Sequence, residues 1–218
     1  MSHIPPNWDY KLITKKLKKQ NNKDNNKLVK GTYKSNNWTN SYQDVALILW
    51  DLDQGSWKPN RLNEWFKNVE KIVYEKFKLK DCKHYGAINC NAPNKECWNN
   101  IFSKVNNPDD SIFSTLWKFN SCIEVLECKK QAVDKRLINL SKNILNRNEK
   151  PKLIVLISHD SDMIPILRLA KKKSIQSMVI RWRKKSFNSK KKCKITPETD
   201  LSILVDKDKC IEIDYNFI

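Results

Sequence analysis

The chain has 218 residues, with 42 Lys and Arg against 24 Asp and Glu, and a formal net charge of +18. This length fits one domain of ordinary size with extensions. The charge favours a polyanionic partner, most commonly nucleic acid, and solvated Lys- and Asn-rich surface is the alternative explanation. No apolar run approaches a membrane span and no secretory signal begins the chain, so we expect no membrane partner.

The seven cysteines include no CxxC pair, which predicts free thiols in a reducing intracellular compartment, cytoplasm or nucleus, with the mitochondrion left open. A zinc site on Cys82, His84, Cys90 and Cys97 is an alternative, but the spacing matches no zinc finger. We therefore expect ordinary thiols and an exposed histidine there.

The first half of the chain begins with a Lys- and Asn-rich stretch, residues 1–40, which we interpret as a basic arm. The apolar run 45–50 predicts a buried strand that ends at Asp51 and Asp53. Apolar residues at helical spacing over 62–77 predict an amphipathic helix, and a short strand follows near 82–88.

The second half continues to alternate helices and strands. We predict helices over 95–104, 111–119, 133–144 and 161–172, and strands over 122–128, 153–157 and 177–180, with 122–128 at an edge. Residues 201–205 and 211–217 alternate apolar with polar side chains, as edge strands do. This alternation of strands and helices predicts an α/β fold: a doubly wound, mostly parallel five-stranded sheet with helices on both faces and extra C-terminal edge strands. The domain then spans 41–182, and 183–218 forms a basic linker and strand extension.

Acidic residues occupy three comparable positions in this scheme. Asp51 and Asp53 follow the first buried strand, Asp134 opens a helix, and Asp160 and Asp162 follow the strand over 153–157. If the two strands are neighbours at the switch point of the sheet, these acids converge on one crevice. Clustered carboxylates repel unless a cation neutralises them, which predicts Mg²⁺ or Mn²⁺ and phosphodiester hydrolysis. Helix capping alone is the alternative.

Four stretches of the sequence together resemble the NYN branch of the PIN-like nucleases, of the limkain or meiosis-arrest type. They are Ile48-Leu49-Trp50-Asp51-Leu52-Asp53-Gln54, His84-Tyr85-Gly86, Lys130-Gln131-Ala132-Val133-Asp134-Lys135-Arg136-Leu137 and Leu156-Ile157-Ser158-His159-Asp160-Ser161-Asp162. The resemblance covers about residues 44–182 and implies a PIN-like fold and a metal-dependent endoribonuclease.

The family's metal-site acids fall on Asp51, Asp134, Asp160 and Asp162, which we expect to be catalytic. Asp53 stands where the family has a glutamate, and we count it among the metal ligands. The sequence departs from the family pattern at Gln54, where asparagine is usual, and at His159, which replaces a glycine.

Basic and aromatic residues near these motifs are candidates for contact with nucleic acid. Lys130 precedes Asp134 by one helical turn, and residues 168–194 contain twelve Lys or Arg and no acid. A solvated flank is the alternative, but phosphate binding explains the lack of compensating acids better. The predicted nucleic-acid contacts are Gln54, Trp57, Lys130, Arg168, Lys171, Lys172, Arg181, Arg183 and Lys184.

From these observations we expect a metal-dependent endoribonuclease that hydrolyses mainly single-stranded RNA. The alternative is an NYN domain with decayed catalysis, which binds RNA or serves as a scaffold subunit of a larger ribonucleoprotein complex with other proteins. A DNA nuclease of the same fold is a third option. An enzyme needs the acids and the metal, whereas a binder responds mainly to salt.

Overall fold

The structure is a computed structural model that describes residues 31–35, 38, 41–53, 61–90, 119–127, 129–183, 205 and 209–214. The predicted helices over 95–104 and 111–119, most of the predicted arm, and the predicted strand over 201–205 lie largely or wholly outside these residues. The strands are β1 (Gly31–Lys34), β2 (Ala46–Asp51), β3 (Cys82–Asn89), β4 (Ser121–Leu126), β5 (Leu153–Ile157), β6 (Gln176–Arg183) and β7 (Cys210–Asp214). The α-helices are α1 (Leu62–Phe77), α2 (Ala132–Leu145) and α3 (Ile164–Lys172).

The strands form one open sheet in the order β1-β4-β3-β2-β5-β6-β7. All neighbours are parallel except β1, which runs antiparallel to β4. The predicted α/β class with a mostly parallel sheet is confirmed, and so is an edge strand near the C-terminus, β7. The five predicted core strands are β2 to β6, and of the described strands the sequence analysis missed only β1, which adds a strand at the other edge of the sheet.

The strand β4 was predicted at an edge, and that prediction is wrong. Its alternating pattern suggested one solvated face, but β1 pairs along it on one side and β3 on the other. The strand β1 comes from residues that the sequence analysis assigned to the basic arm. The partner that buries β4 therefore lies far from it in the chain and in a stretch with little apolar character.

Helices cover both faces of the sheet, and the alternation of side chains along β2 divides the core in two. Ile48 and Trp50 point to the layer that contains α1, while Leu47 and Leu49 point to the layer that contains α2 and α3. Strands that are covered on both faces are mostly apolar, which explains the apolar run that forms β2 up to Asp51. No helix in the described parts of the chain is long and apolar enough to cross a membrane.

His84 is buried in the α1 layer, contrary to the exposed histidine that we expected. Its Nδ1 accepts a hydrogen bond from Trp50 Nε1 at 3.0 Å, and its Nε2 lies 3.0 Å from Glu70 Oε1. Both ring nitrogens are therefore engaged, and Cys90 is disulfide-bonded rather than a free thiol. The zinc alternative is wrong, because neither side chain has a ligand atom available.

Candidate functional site

The strands β2 and β5 are neighbours at the centre of the sheet, which is the condition that the sequence analysis set for convergence of the acids. Trp50 pairs with Ile157 near the carboxyl ends of the two strands. From β2 the chain continues to β3 on one side, and from β5 it continues to β6 on the other. This is a topological switch point, where open α/β sheets leave a crevice beyond the carboxyl ends of their strands.

Asp51 ends β2 and lies inside this crevice, with only 1% of its surface exposed. Ser158 follows β5 directly and is completely buried. Its hydroxyl donates a hydrogen bond to Asp51 Oδ2 at 2.8 Å and accepts one from the backbone N–H of Asp160 at 2.9 Å. Ser158 thus fixes the position of Asp51 relative to the loop that carries Asp160.

Asp160, Asp162 and Asp134 come together beside this serine. The Asp160 side chain accepts a hydrogen bond from the Asp162 backbone N–H at 2.9 Å and caps a short 3₁₀ turn, Ser161–Met163, that leads into α3. Asp134 lies in the first turn of α2. One carboxylate oxygen of each of the three acids lies within 4.8 Å of the others.

Asp53 completes the group from the opposite side of the crevice. Its Oδ1 accepts a hydrogen bond from the backbone N–H of Asn89 at 2.6 Å, which ties it to the carboxyl end of β3. The Asn89 side chain in turn donates to the carbonyl of Lys129 at 2.9 Å, in the loop before α2. Three loops are thereby fixed to one another around the acids.

The electrostatics of the site reflect this crowding of carboxylates. Burial raises the pKa of Asp51 to about 7, the Ser158 hydrogen bond opposes the rise, and the negative charges of Asp134, Asp53 and Asp160 add to it. Burial also raises the pKa of Asp134 to about 6, and Asp160, Asp162 and Asp53 reinforce the effect. Burial raises the pKa of Asp53 as well, against the hydrogen bond from Asn89. The ionised site is therefore destabilised by its own charge.

The donor set fits a hard divalent cation. Every side chain of the cluster offers carboxylate oxygen, the ligand type that Mg²⁺ and Mn²⁺ bind, without a thiolate or imidazole that would favour zinc. The three oxygens within 4.8 Å can contact one ion, and a cation would offset the repulsion that raises the pKa values of Asp51 and Asp134.

The predicted nucleic-acid contacts are distributed unevenly around the acids. Lys130 is exposed in the turn that precedes α2, close to the site. Arg181 is half-buried near the carboxyl end of β6. Lys171 and Lys172, by contrast, end α3, whose first residue lies at the site, so about 12 Å of helix separates them from the acids. They do not line the acidic crevice.

The remaining predicted contacts lie elsewhere. Arg168 is exposed halfway along α3, and Arg183 is the last residue of β6. Gln54, Trp57 and Lys184 fall outside the described residues. His159, which replaces the family's glycine, is half-buried between Ser158 and Asp160.

Three residues of the site were not singled out from the sequence. They are Ser158, which links two acids, Asn89, whose backbone binds Asp53, and Gln131, whose side chain donates to Asp162 Oδ2 at 3.1 Å. Ser158 had a usable signal, since the first residue after the strand faces the same crevice as Asp51. The hydrogen bond from the backbone N–H of Asn89 could not be predicted, because every residue except proline has such a donor.

No protein-family model matches the chain, and no curated protein matches it. Among solved structures, it is similar to a chain described as glucose-6-phosphate dehydrogenase in complex with its substrate glucose-6-phosphate, at 16% identity and a TM-score of 0.38. That similarity covers 81% of this chain but only 37% of the dehydrogenase chain. A TM-score this low supports no inference about function.

Proposed function

We propose that this protein is a metal-dependent endoribonuclease of the NYN type, acting mainly on single-stranded RNA. The observation that carries the proposal is the convergence of Asp51, Asp134, Asp160 and Asp162 at the switch point, from three separate elements of the sheet and helix layers. Helix capping accounts for the hydrogen bonds of Asp160 but not for a buried carboxylate at Asp51.

Asp134, Asp160 and Asp162 would hold the Mg²⁺ or Mn²⁺ ion. Asp51 and Asp53 would add negative charge beside them. When bound, such an ion supplies an acidified water and stabilises negative charge on a phosphoryl oxygen. The chain's own contribution is positional. The hydroxyl of Ser158 orients the Asp51 carboxylate and the loop of Asp160 together, and the hydrogen bond from Asn89 orients Asp53. Groups held in this way need little rearrangement during the reaction.

A basic protein surface supports a polyanionic substrate. The five clustered acids repel one another unless a cation binds, and the net charge of +18 attracts a polyanion such as a phosphate chain. The resemblance to NYN nucleases adds RNA as the specific substrate class.

The test is cleavage of an end-labelled single-stranded RNA with Mn²⁺, Mg²⁺ or EDTA. Asp160→Asn and Asp134→Asn should each reduce the metal-dependent rate by about 100-fold or more, because each removes a negative ligand without changing side-chain size. Asp44→Asn is the matched control: Asp44 has a φ of 59°, which asparagine tolerates, and its ion pair with Lys152 is exposed.

Equal cleavage by all variants, or cleavage that persists in EDTA, would point to a contaminating nuclease and refute the assignment. RNA binding without any cleavage, unchanged by EDTA, would favour the rival function of an RNA-binding or scaffold subunit. Preference for a DNA strand in competition would favour the third option.

A further inference from the structure

The helices α2 and α3 lie side by side on the same face of the sheet and expose a set of positive side chains. We call this surface the basic face. Its members are exposed side chains of the two helices: Lys135, Lys142, Arg168, Lys171 and Lys172. The two helices pack against each other and share one hydrophobic layer, so these side chains form one continuous surface.

The basic face has no acidic counterpart within its own helices. Apart from Asp134 in the acidic site, α2 and α3 contain no Asp or Glu, and none of the five cations forms an ion pair with another described residue. The helix α1, on the other face of the sheet, contains three Glu and three Lys and includes the ion pair Lys71–Glu75. Among the described helices, the positive charge that lacks neighbouring acids thus lies on the side of α2 and α3.

The helix dipole explains only part of this arrangement. Lys171 and Lys172 stand in the last turn of α3, where a positive charge is favourable. Lys135, however, lies in the first turn of α2, where the dipole disfavours a cation. Lys135 at the start of α2 and the two lysines at the end of α3 form no ion pair with a described residue, and a bound polyanion explains this surface better.

The direction of the helices connects the basic face to the acidic site. Both helices begin beside the acids, at Asp134 and just after Asp162. From there they run back toward the amino-terminal ends of the parallel strands. At 1.5 Å per residue, the 9 residues of α3 extend about 12 Å and the 14 residues of α2 about 20 Å. A chain of phosphates that starts at the acids can therefore follow the basic face away from them.

We propose that the basic face binds the phosphate backbone of a single-stranded RNA beyond the position that the acids contact. The placement of the strand rests on the proposed function, whereas the binding itself does not require a metal. The substrate class is then an RNA long enough to reach from the crevice to the last turn of α3, whereas a mononucleotide would occupy only the crevice.

The experiment compares two triple variants that remove the same charge. The test variant is Arg168→Gln, Lys171→Gln and Lys172→Gln on α3. The control variant is Lys67→Gln, Lys71→Gln and Lys80→Gln, all exposed and on or just beyond α1. Binding of a fluorescent 20-nucleotide oligouridine is measured by anisotropy in EDTA over a series of salt concentrations.

Three lost phosphate contacts should reduce the slope of log K against log salt by about 2, because each contributes about 0.7 on a single strand. The same relation gives up to about 100-fold weaker binding at 0.1 M salt for the test variant. The control should bind nearly as the wild type does. A mononucleotide should bind the wild type and the test variant equally.

Equal losses in the two triple variants would show that only net charge matters and would overturn the inference. Unchanged binding in the test variant would overturn it too, as would tighter binding to vesicles of anionic lipid than to RNA. Weaker binding of the test variant, with no cleavage by any variant in Mn²⁺, would leave the inference standing and remove the nuclease. Cleavage by the test variant with an unchanged KM would support the nuclease and overturn the inference about the basic face.

Discussion

Asp51→Asn should stabilise the metal-free protein at neutral and alkaline pH. Asp51 is 1% exposed and its pKa is raised from 3.8 to about 7, chiefly by burial. A carboxyl group whose pKa is higher in the folded state destabilises that state once it ionises. The destabilisation is absent below pH 3.8, grows as the pH rises toward 7 and is complete above it.

The magnitude follows from the two pKa values. At about 1.4 kcal/mol per pH unit, the difference corresponds to about 4 kcal/mol at pH 8, as an upper limit. Asparagine keeps the size of the side chain and can still accept the hydrogen bond from Ser158, but it carries no charge. For a chain of this length, each kcal/mol moves Tm by about 2–4 °C, so Tm should rise by roughly 8–16 °C.

The assay is thermal unfolding in EDTA between pH 4 and pH 8, with Asp44→Asn as the control at an exposed acid. The difference between Asp51→Asn and wild type should be near zero at pH 4 and should grow with pH, whereas the control should follow wild type throughout. A saturating divalent ion should stabilise wild type more than Asp51→Asn. A variant that is less stable than wild type at pH 8 in EDTA would refute the reasoning.

Three further outcomes follow from the structure. Ser158→Ala removes the hydroxyl that lowers the pKa of Asp51, so the pH midpoint of the wild-type stability change should move above 7 in the same EDTA titration. The pKa of His84 is lowered from 6.5 by burial, so the free energy of unfolding should decrease as the pH falls below 6.5, and His84→Gln should lose this dependence in urea titrations. Gly86→Ala would place its Cβ 2.8 Å from Leu52 Cδ1 in a packed core, so it should cost about 1–3 kcal/mol of stability, measured by chemical denaturation. An unchanged midpoint, a flat pH response or a fully stable alanine variant would contradict the respective argument.

Local patterns in the sequence predicted most of the central sheet. The apolar runs that became β2 and β5 were recognisable because strands buried on both faces are mostly apolar. The adjacency of these two strands was only a condition of the sequence argument, because alternation of strands and helices does not fix strand order; the structure supplies it. The sequence also predicted the helix α3 directly after Asp162. Lys171 and Lys172 were nevertheless grouped with the residues near the acids, because a run of positive charge does not show which of its members lie close to the site.

Other features required the tertiary structure, because they arise from contacts between distant residues. Lys83 illustrates this: it is buried, donates a hydrogen bond to the carbonyl of Ser41 and lies 4.6 Å from the Tyr42 ring centre, although a lysine in a basic chain looks like solvated surface.

The sequence by itself determined the α/β alternation, the two central strands and the positions of the five acids, because each depends on hydrophobic periodicity and strand ends that can be identified locally. The pairing of β1 with β4, the burial of His84 and the bridge from Ser158 to Asp51 and Asp160 were decided only by the tertiary structure. Each of these depends on which backbone and side-chain groups meet across tens of residues, and burial then sets their hydrogen bonds and pKa values.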